Sequence, residues 1–206
     1  PASPLRFPRL LLTGAAGYLG RELRPRLKTY CDVLRLSDRA DPGPAAEGEE
    51  VQVTPLEDKD RVLALLSGVS AVVHLGGVST EQPWDTILAG NISGMVNLYE
   101  AARLQGVRRI VFASSNHVTG FYRQDEVVNT RMPPKPDGFY GLSKAFGEDV
   151  AQMCWDRWGI ETVSIRIGSS TPAPKARRML ATWLRHDDLE RLVVAALTAP
   201  IVGHSL

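Results

Sequence analysis

Tyr140 and Lys144 stand four positions apart in FYGLSKAFGE, residues 139–148. Four residues along a helix are just over one turn, so the phenol and the ammonium project from one face and can share one small volume. Such a pair is a proton-transfer device, in which the phenol moves the proton and the ammonium favours the phenolate. A free phenol titrates near ~10, so work near neutrality needs a shift of about 3 units, or ~4 kcal/mol. The chain holds five tyrosines, and a Y-x-x-x-K match also arises by chance, so the pair alone specifies little.

A second stretch able to do chemistry is TGAAGYLG, where Gly14, Gly17 and Gly20 are spaced three and three. It follows the apolar run RLLLT and opens a helical pattern with Leu19, Leu23 and Leu27 on one face. A helix start offers unpaired N–H groups and a positive dipole end, so a pyrophosphate can rest on backbone that no β-carbon blocks. Asp38 closes the next apolar strand, where its carboxylate can accept from both adenosine ribose hydroxyls and repel a 2′-phosphate. NAD is therefore expected over NADP, although Arg39 could receive that phosphate.

These residues need a frame that brings strand ends together. Strands are expected at Arg9–Thr13, Asp32–Leu36, Val51–Val53, Ser70–Gly77, Arg109–Ser115 and Glu161–Gly168. Helices are expected at 18–30, 58–67 and as one long stretch from Trp84 to Leu104, with another carrying Tyr140 and Lys144. Near-continuous apolar strands alternating with helices predict an α/β fold, a doubly wound parallel sheet of Rossmann type. One such domain is expected over 1–206, with residues 169–206 the start of a small substrate-binding portion.

Bulk properties narrow the classes further. A net charge of +1 without a basic stripe argues against nucleic acid as a partner. Cys31 and Cys154 lie far apart without metal-ligand spacing, which suggests neither a disulfide framework nor a metal site and fits a reducing, cytoplasmic compartment. The start PASPLRFPR has no signal-like apolar core, and nowhere do 18 apolar residues run together, so no membrane span is expected.

TGAAGYLG, HLGG (74–77), NISGMVNLYEAA (91–102), FASSN (112–116) and YGLSK occur in that order, and together they resemble an extended short-chain dehydrogenase/reductase. The resemblance implies an oxidoreductase with Tyr140 as general base, Lys144 holding the nicotinamide ribose and lowering the phenol pKa, and Ser115 positioning the reacting oxygen. Ser114 is the rival, because strand alternation sends the two hydroxyls to opposite sides. It also implies NAD lying along Gly14, Gly17, Tyr18, Leu19, Gly20, Asp38, Leu75, Gly76, Gly77, Asn91 and Ile167, besides Tyr140 and Lys144. Asn91 would hold Lys144 through water; the plainer alternative is a solvent-exposed helix Asn. Members usually place an Asp after the third strand to hold the adenine, and Asp58 departs from that position.

HLGGVS, ASSNHVTGFY, PDGFYGLSKAFGE, VSIRIGSSTP and RRMLATWLRHDDL are similar to the branch of that family that oxidises hexuronic acids at the anomeric carbon with NAD to an aldaro-lactone. That similarity implies D-glucuronate or D-galacturonate as substrate, contacted by Ser79, Ser115, Asn116, His117, Ser169 and Arg178, in a homo-oligomer. A sugar acid needs several hydroxyl partners and one cationic clamp, and the set holds both. Plainer roles stand beside these: His117 packing in its loop, Ser79 and Ser169 in turns, Arg177 facing the pocket instead of Arg178. Asp187 and Asp188 read as a helix cap rather than a catalytic pair. Family members continue beyond PIVGHSL, so a C-terminal part is expected to be missing. Two alternatives remain: a nucleotide-sugar epimerase or dehydratase, though Arg166 is followed by IGSSTP where those show N-x-Y-G-P, and a non-catalytic NAD-sensing module.

Overall fold

The computed structural model describes residues 6–200 and 203–206. The opening residues 1–5, read above for targeting signals, and residues 201–202 of PIVGHSL lie outside them. Seven parallel strands form one sheet: β1 (Phe7–Thr13), β2 (Cys31–Asp38), β3 (Glu49–Val53), β4 (Ala71–His74), β5 (Arg109–Ser115), β6 (Glu161–Ile167) and β7 (His204–Ser205). Their spatial order is β3-β2-β1-β4-β5-β6-β7, so the direction of winding reverses between β1 and β4. That reversal opens a crevice at the carboxyl ends of the strands, where such folds bind ligands. The α/β fold expected from the alternating pattern is the one observed.

Both faces of the sheet are covered, which is why its central strands read as unbroken apolar runs. On one face Leu10, Leu12, Leu34 and Val73 pack against Leu23 and Leu27 of α1 (Tyr18–Leu27) and Leu189 and Val193 of a C-terminal helix, 186–198. On the other face Leu11, Val72, Ile110 and Phe112 meet α2 (Lys59–Leu65), α4 (Gly94–Gln105) and α5 (Phe139–Trp158). The C-terminal helix, α6 (His186–Thr198), and β7 are therefore built into the same body as the rest of the sheet.

Sequence readings change at the stretch from Trp84 and at Asp187 and Asp188, while Asp58, already expected to miss the adenine position, stands at a helix start. The stretch from Trp84 is not one helix: α3 (Trp84–Ile87) passes through a π-turn, Leu88–Ser93, before α4. A π-turn inserts one residue per turn, and such insertions gather at functional sites; here it turns Asn91 inward. Asp58 is the N-cap of α2 and accepts from the Arg61 amide at 3.1 Å, so its carboxylate is committed to the helix start. Asp187 and Asp188 lie in the first turn of α6 rather than at its cap, which is Arg185; they pair with Arg26 at 2.9 Å and Arg191 at 3.0 Å.

Candidate active site

The turn from β1 into α1 forms the floor of the site. Gly14 has φ +71°, and a β-carbon there would stand 2.6 Å from the Leu75 backbone, so only glycine lets the β1 and β4 turns approach this closely. A β-carbon on Gly20 would lie 2.1 Å from the Gly14 carbonyl, which is what keeps α1 tight against that turn. Asp38 at the end of β2 accepts from the Ala16 amide at 3.0 Å and the Ala40 amide at 3.2 Å, placing its carboxylate at the edge of the turn.

Above this floor lies a cleft with two adjoining lobes of about 340 and 360 Å³, both lined by Gly14, Asp38, Gly77 and Ser79. The first lobe is lined by Gly17, Tyr18, Leu19, Gly20, Leu75, Ile167, Ser115, Asn116, His117, Tyr140 and Lys144. The second takes in Gly76, Arg39 and Ser37, whose buried hydroxyl has no hydrogen-bond partner among the described residues. An elongated cleft over a glycine turn, with a carboxylate midway and an orphaned buried hydroxyl, fits a dinucleotide.

The catalytic candidates meet where β5 runs out beside the start of α5. Ser114 donates to buried Glu148 at 2.6 Å, and Arg166 grips the same carboxylate at 2.7 and 2.9 Å. Ser114 and Ser115 both border the first lobe, but the Ser114 hydroxyl is committed to Glu148, which leaves Ser115 as the serine that can serve a ligand. Ser115 Oγ accepts from the His117 amide at 3.2 Å. Lys144 is 6% exposed; its ammonium donates to the Ala113 carbonyl at 2.8 Å and sits over the rings of Phe112 and Tyr140 at 5.0 and 5.7 Å.

Electrostatics here are ruled by burial. Burial pushes the Lys144 ammonium down to about 8. Burial holds the Tyr140 phenol above its ordinary value, opposed by hydrogen bonding to Ser115. In the protein alone desolvation outweighs the Ser115 hydrogen bond; the lowering that the resemblance implies draws on the positive nicotinamide ring as well as on Lys144. His74 is driven down to about 3, first by burial and then by the Lys144 charge. Thr13 Oγ1 accepts from the Gly76 amide at 3.1 Å and shares a hydrogen bond with His74 Nδ1 at 2.7 Å.

Asn91 is buried, not solvent-exposed. Its side chain accepts from the Val78 amide at 2.6 Å and donates to the Val78 carbonyl at 3.1 Å and to Ser143 Oγ at 2.8 Å. Ser143 in turn donates to the Tyr140 carbonyl at 2.7 Å, so Asn91 braces α5 through the residue before Lys144. His117 is half-exposed at the cleft mouth, with Nδ1 2.9 Å from both Asp137 oxygens and its ring edge-on to Tyr140 at 5.5 Å. Donation from Nδ1 to that carboxylate leaves Nε2 as an acceptor for a ligand hydroxyl.

Two expected substrate residues do not line the cleft. Ser169 is held by a backbone bridge to Trp183, and its neighbours Gly168 and Ser170 line the cleft instead. Ser170 is buried with a hydroxyl that has no partner among the described residues, and alternation from Ser169 was the signal that could have found it. Arg178 is exposed on a 3₁₀ turn, Arg177–Ala181, and not on an α-helix; neither Arg177 nor Arg178 has an ion-pair partner among the described residues. Sequence reasoning also passed over Asp137, Ser143 and Glu81, because each acts through a contact with a distant segment.

A glycine-floored dinucleotide cleft meeting a Ser–Tyr–Lys cluster defines a nicotinamide-dependent oxidoreductase class. The chain belongs to the NAD dependent epimerase/dehydratase family, whose model matches residues 10–199. It is 57% identical over 201 residues to a uronate dehydrogenase of Pseudomonas syringae pv. tomato, spanning 97% of this chain and 73% of that protein. The crystal structure of uronate dehydrogenase from Agrobacterium tumefaciens superposes with a TM-score of 0.95 at 49% identity, over 98% of this chain and 76% of that one. A mutant of that enzyme complexed with NAD matches with a TM-score of 0.94 at 50% identity, over 96% and 74% of the two chains. Among the described residues no helix is long and apolar enough to cross a membrane, and no group of three or more His, Cys, Asp or Glu could hold a metal ion.

Proposed function

We propose that this chain is an NAD-dependent uronate dehydrogenase that oxidises the anomeric C1 hydroxyl of D-glucuronate or D-galacturonate to the aldaro-lactone. The observation that carries it is the meeting of Ser115, Tyr140 and Lys144 at one end of a dinucleotide-shaped cleft, in a chain 57% identical to such an enzyme. Gly14, Gly17 and the start of α1 would hold the pyrophosphate of NAD, Asp38 the adenosine ribose, and Lys144 the nicotinamide ribose. Bound NAD accepts the hydride and brings a positive ring beside the phenol.

Tyr140 takes the C1 hydroxyl proton, with Ser115 sharing that oxygen. Burial raises the phenol in the protein alone, and the positive nicotinamide ring of bound NAD would oppose that shift and favour the phenolate. Ser79, Asn116, His117 and the orphaned Ser170 meet the sugar hydroxyls, and Ser169 supports them through backbone. Arg178 clamps the carboxylate; the support is its place on residues 168–185, the segment that rims the cleft at Gly168 and Ser170, together with its freedom from ion pairs among the described residues. Residues 169–206 begin the substrate-binding portion on this proposal, although α6 and β7 also complete the sheet body.

The chain works, on the same proposal, as a cytoplasmic homo-oligomer. Free, buried Cys31 and Cys154 fit a reducing compartment, and exposed Val96 and Leu104 on α4 with Leu142 and Met153 on α5 offer apolar surface to a second copy. Absorbance growth at the reduced-nicotinamide band, with the protein, NAD and either uronate, tests the activity; no growth with both uronates refutes it. NAD that stays bound through purification and is not exchanged would favour the epimerase alternative.

A further inference from the structure

Helix α5 carries both Tyr140 and Lys144, yet its own sequence does not finish its first turn. Its N-cap is Gly138, which supplies no side-chain cap, and no acidic residue lies in that turn. The first amides of a helix lack intrahelical acceptors and need partners from elsewhere. Glu81, 58 residues earlier in the chain, provides them: Oε1 accepts from the Phe139 amide and Oε2 from the Tyr140 amide, each at 2.9 Å. A carboxylate is also the charge that the positive end of a helix favours.

Glu81 belongs to the loop between β4 and α3, and that loop is anchored at two places. At its start Val78 is held through both backbone groups by Asn91. At its end the Glu81 carboxylate grips α5, and Trp84 packs against Phe139 with ring centroids 5.4 Å apart. Ser79 lies between the anchors and lines both lobes of the cleft.

We propose that Glu81 is a positioning residue that ties the substrate loop carrying Ser79 to the backbone of the general base Tyr140. One carboxylate then sets two things at once: where the sugar hydroxyl contact stands, and where the phenol stands relative to it. The consequence for turnover rests on the uronate dehydrogenase function proposed above; the tether itself does not. Small misplacements of a reacting pair are costly, with about 1 Å worth as much as ~100-fold in rate.

The test compares wild-type, Glu81→Ala and Glu81→Gln full chains. With either uronate and NAD, Glu81→Ala should raise KM for the sugar and lower kcat, reducing kcat/KM at least about tenfold, while NAD affinity by fluorescence titration stays within about twofold. Glu81→Gln keeps one acceptor oxygen and should fall between the two. Amide hydrogen exchange on the same proteins reads the tether without substrate: Phe139 and Tyr140 should lose protection in Glu81→Ala. A kcat/KM within twofold of wild type, an equal loss in NAD affinity, or unchanged exchange at both amides overturns the proposal. Wild-type inactivity with both uronates refutes the proposed function instead, and the exchange result then decides the tether by itself.

Discussion

Replacing Lys144 with methionine should stabilise the protein while abolishing its turnover. The ammonium is 6% exposed and burial lowers its pKa from 10.5 to about 8. At neutral pH the group is charged in both folded and unfolded chains, so that shift is a folding penalty of roughly 3 kcal/mol. Methionine has a similar length and no charge, but it leaves the Ala113 carbonyl without its donor, which costs ~1–2 kcal/mol. The balance is a gain of ~2 kcal/mol, or about 4–8 °C in Tm for a domain of this size. The sign with pH follows from the depressed folded value: the unfolded chain binds the extra proton between pH 8 and 10.5, so wild-type stability recovers as pH rises through that window. Thermal denaturation of the two proteins by circular dichroism without NAD, from pH 7 to 10.5, should show Lys144→Met more stable at pH 7 and the gap closing by pH 10.5. A variant less stable than wild type at pH 7, or a gap independent of pH, refutes the reasoning.

Tyr140→Phe should lower kcat at least ~100-fold in steady-state assays, the scale of general-base catalysis, with NAD affinity nearly unchanged; retention of a tenth of wild-type rate contradicts the base assignment. Asp38→Ala should cut the NAD-to-NADP ratio of kcat/KM at least about tenfold, by removing the ribose acceptor and the repulsion of a 2′-phosphate. An unchanged ratio would leave Asp38 only its bonds to the Ala16 and Ala40 amides. Arg178→Ala should lower kcat/KM for uronate at least about thirtyfold, the loss of a desolvated charge pair worth ~2–5 kcal/mol, and spare NAD binding. A large loss in Arg177→Ala and none in Arg178→Ala would move the clamp one residue.

Local pattern made the frame legible. Apolar runs such as RLLLT and AVVH are short, β-branched or leucine-rich and bounded by turns, and strands form there because nothing else buries them as well. The glycine spacing of TGAAGYLG, Asp38 at a strand end and the Tyr140–Lys144 turn of helix are likewise properties of a few consecutive residues. What the tertiary structure alone decided depends on segments far apart in the chain. Ser115 rather than Ser114 has a hydroxyl left for a ligand because Ser114 is bonded to Glu148, which Arg166 in turn grips. Asn91 reaches Ser143 only through a π-turn that hydrophobic periodicity does not encode. Glu81 finishes a helix 58 residues away, and Ser170 rather than Ser169 turns to the cleft. The Tyr140 shift in the protein alone depends on tertiary structure for the same reason: side-chain identity names the neighbours, but only packing sets how much water each group loses, and there desolvation exceeds the hydrogen bonding.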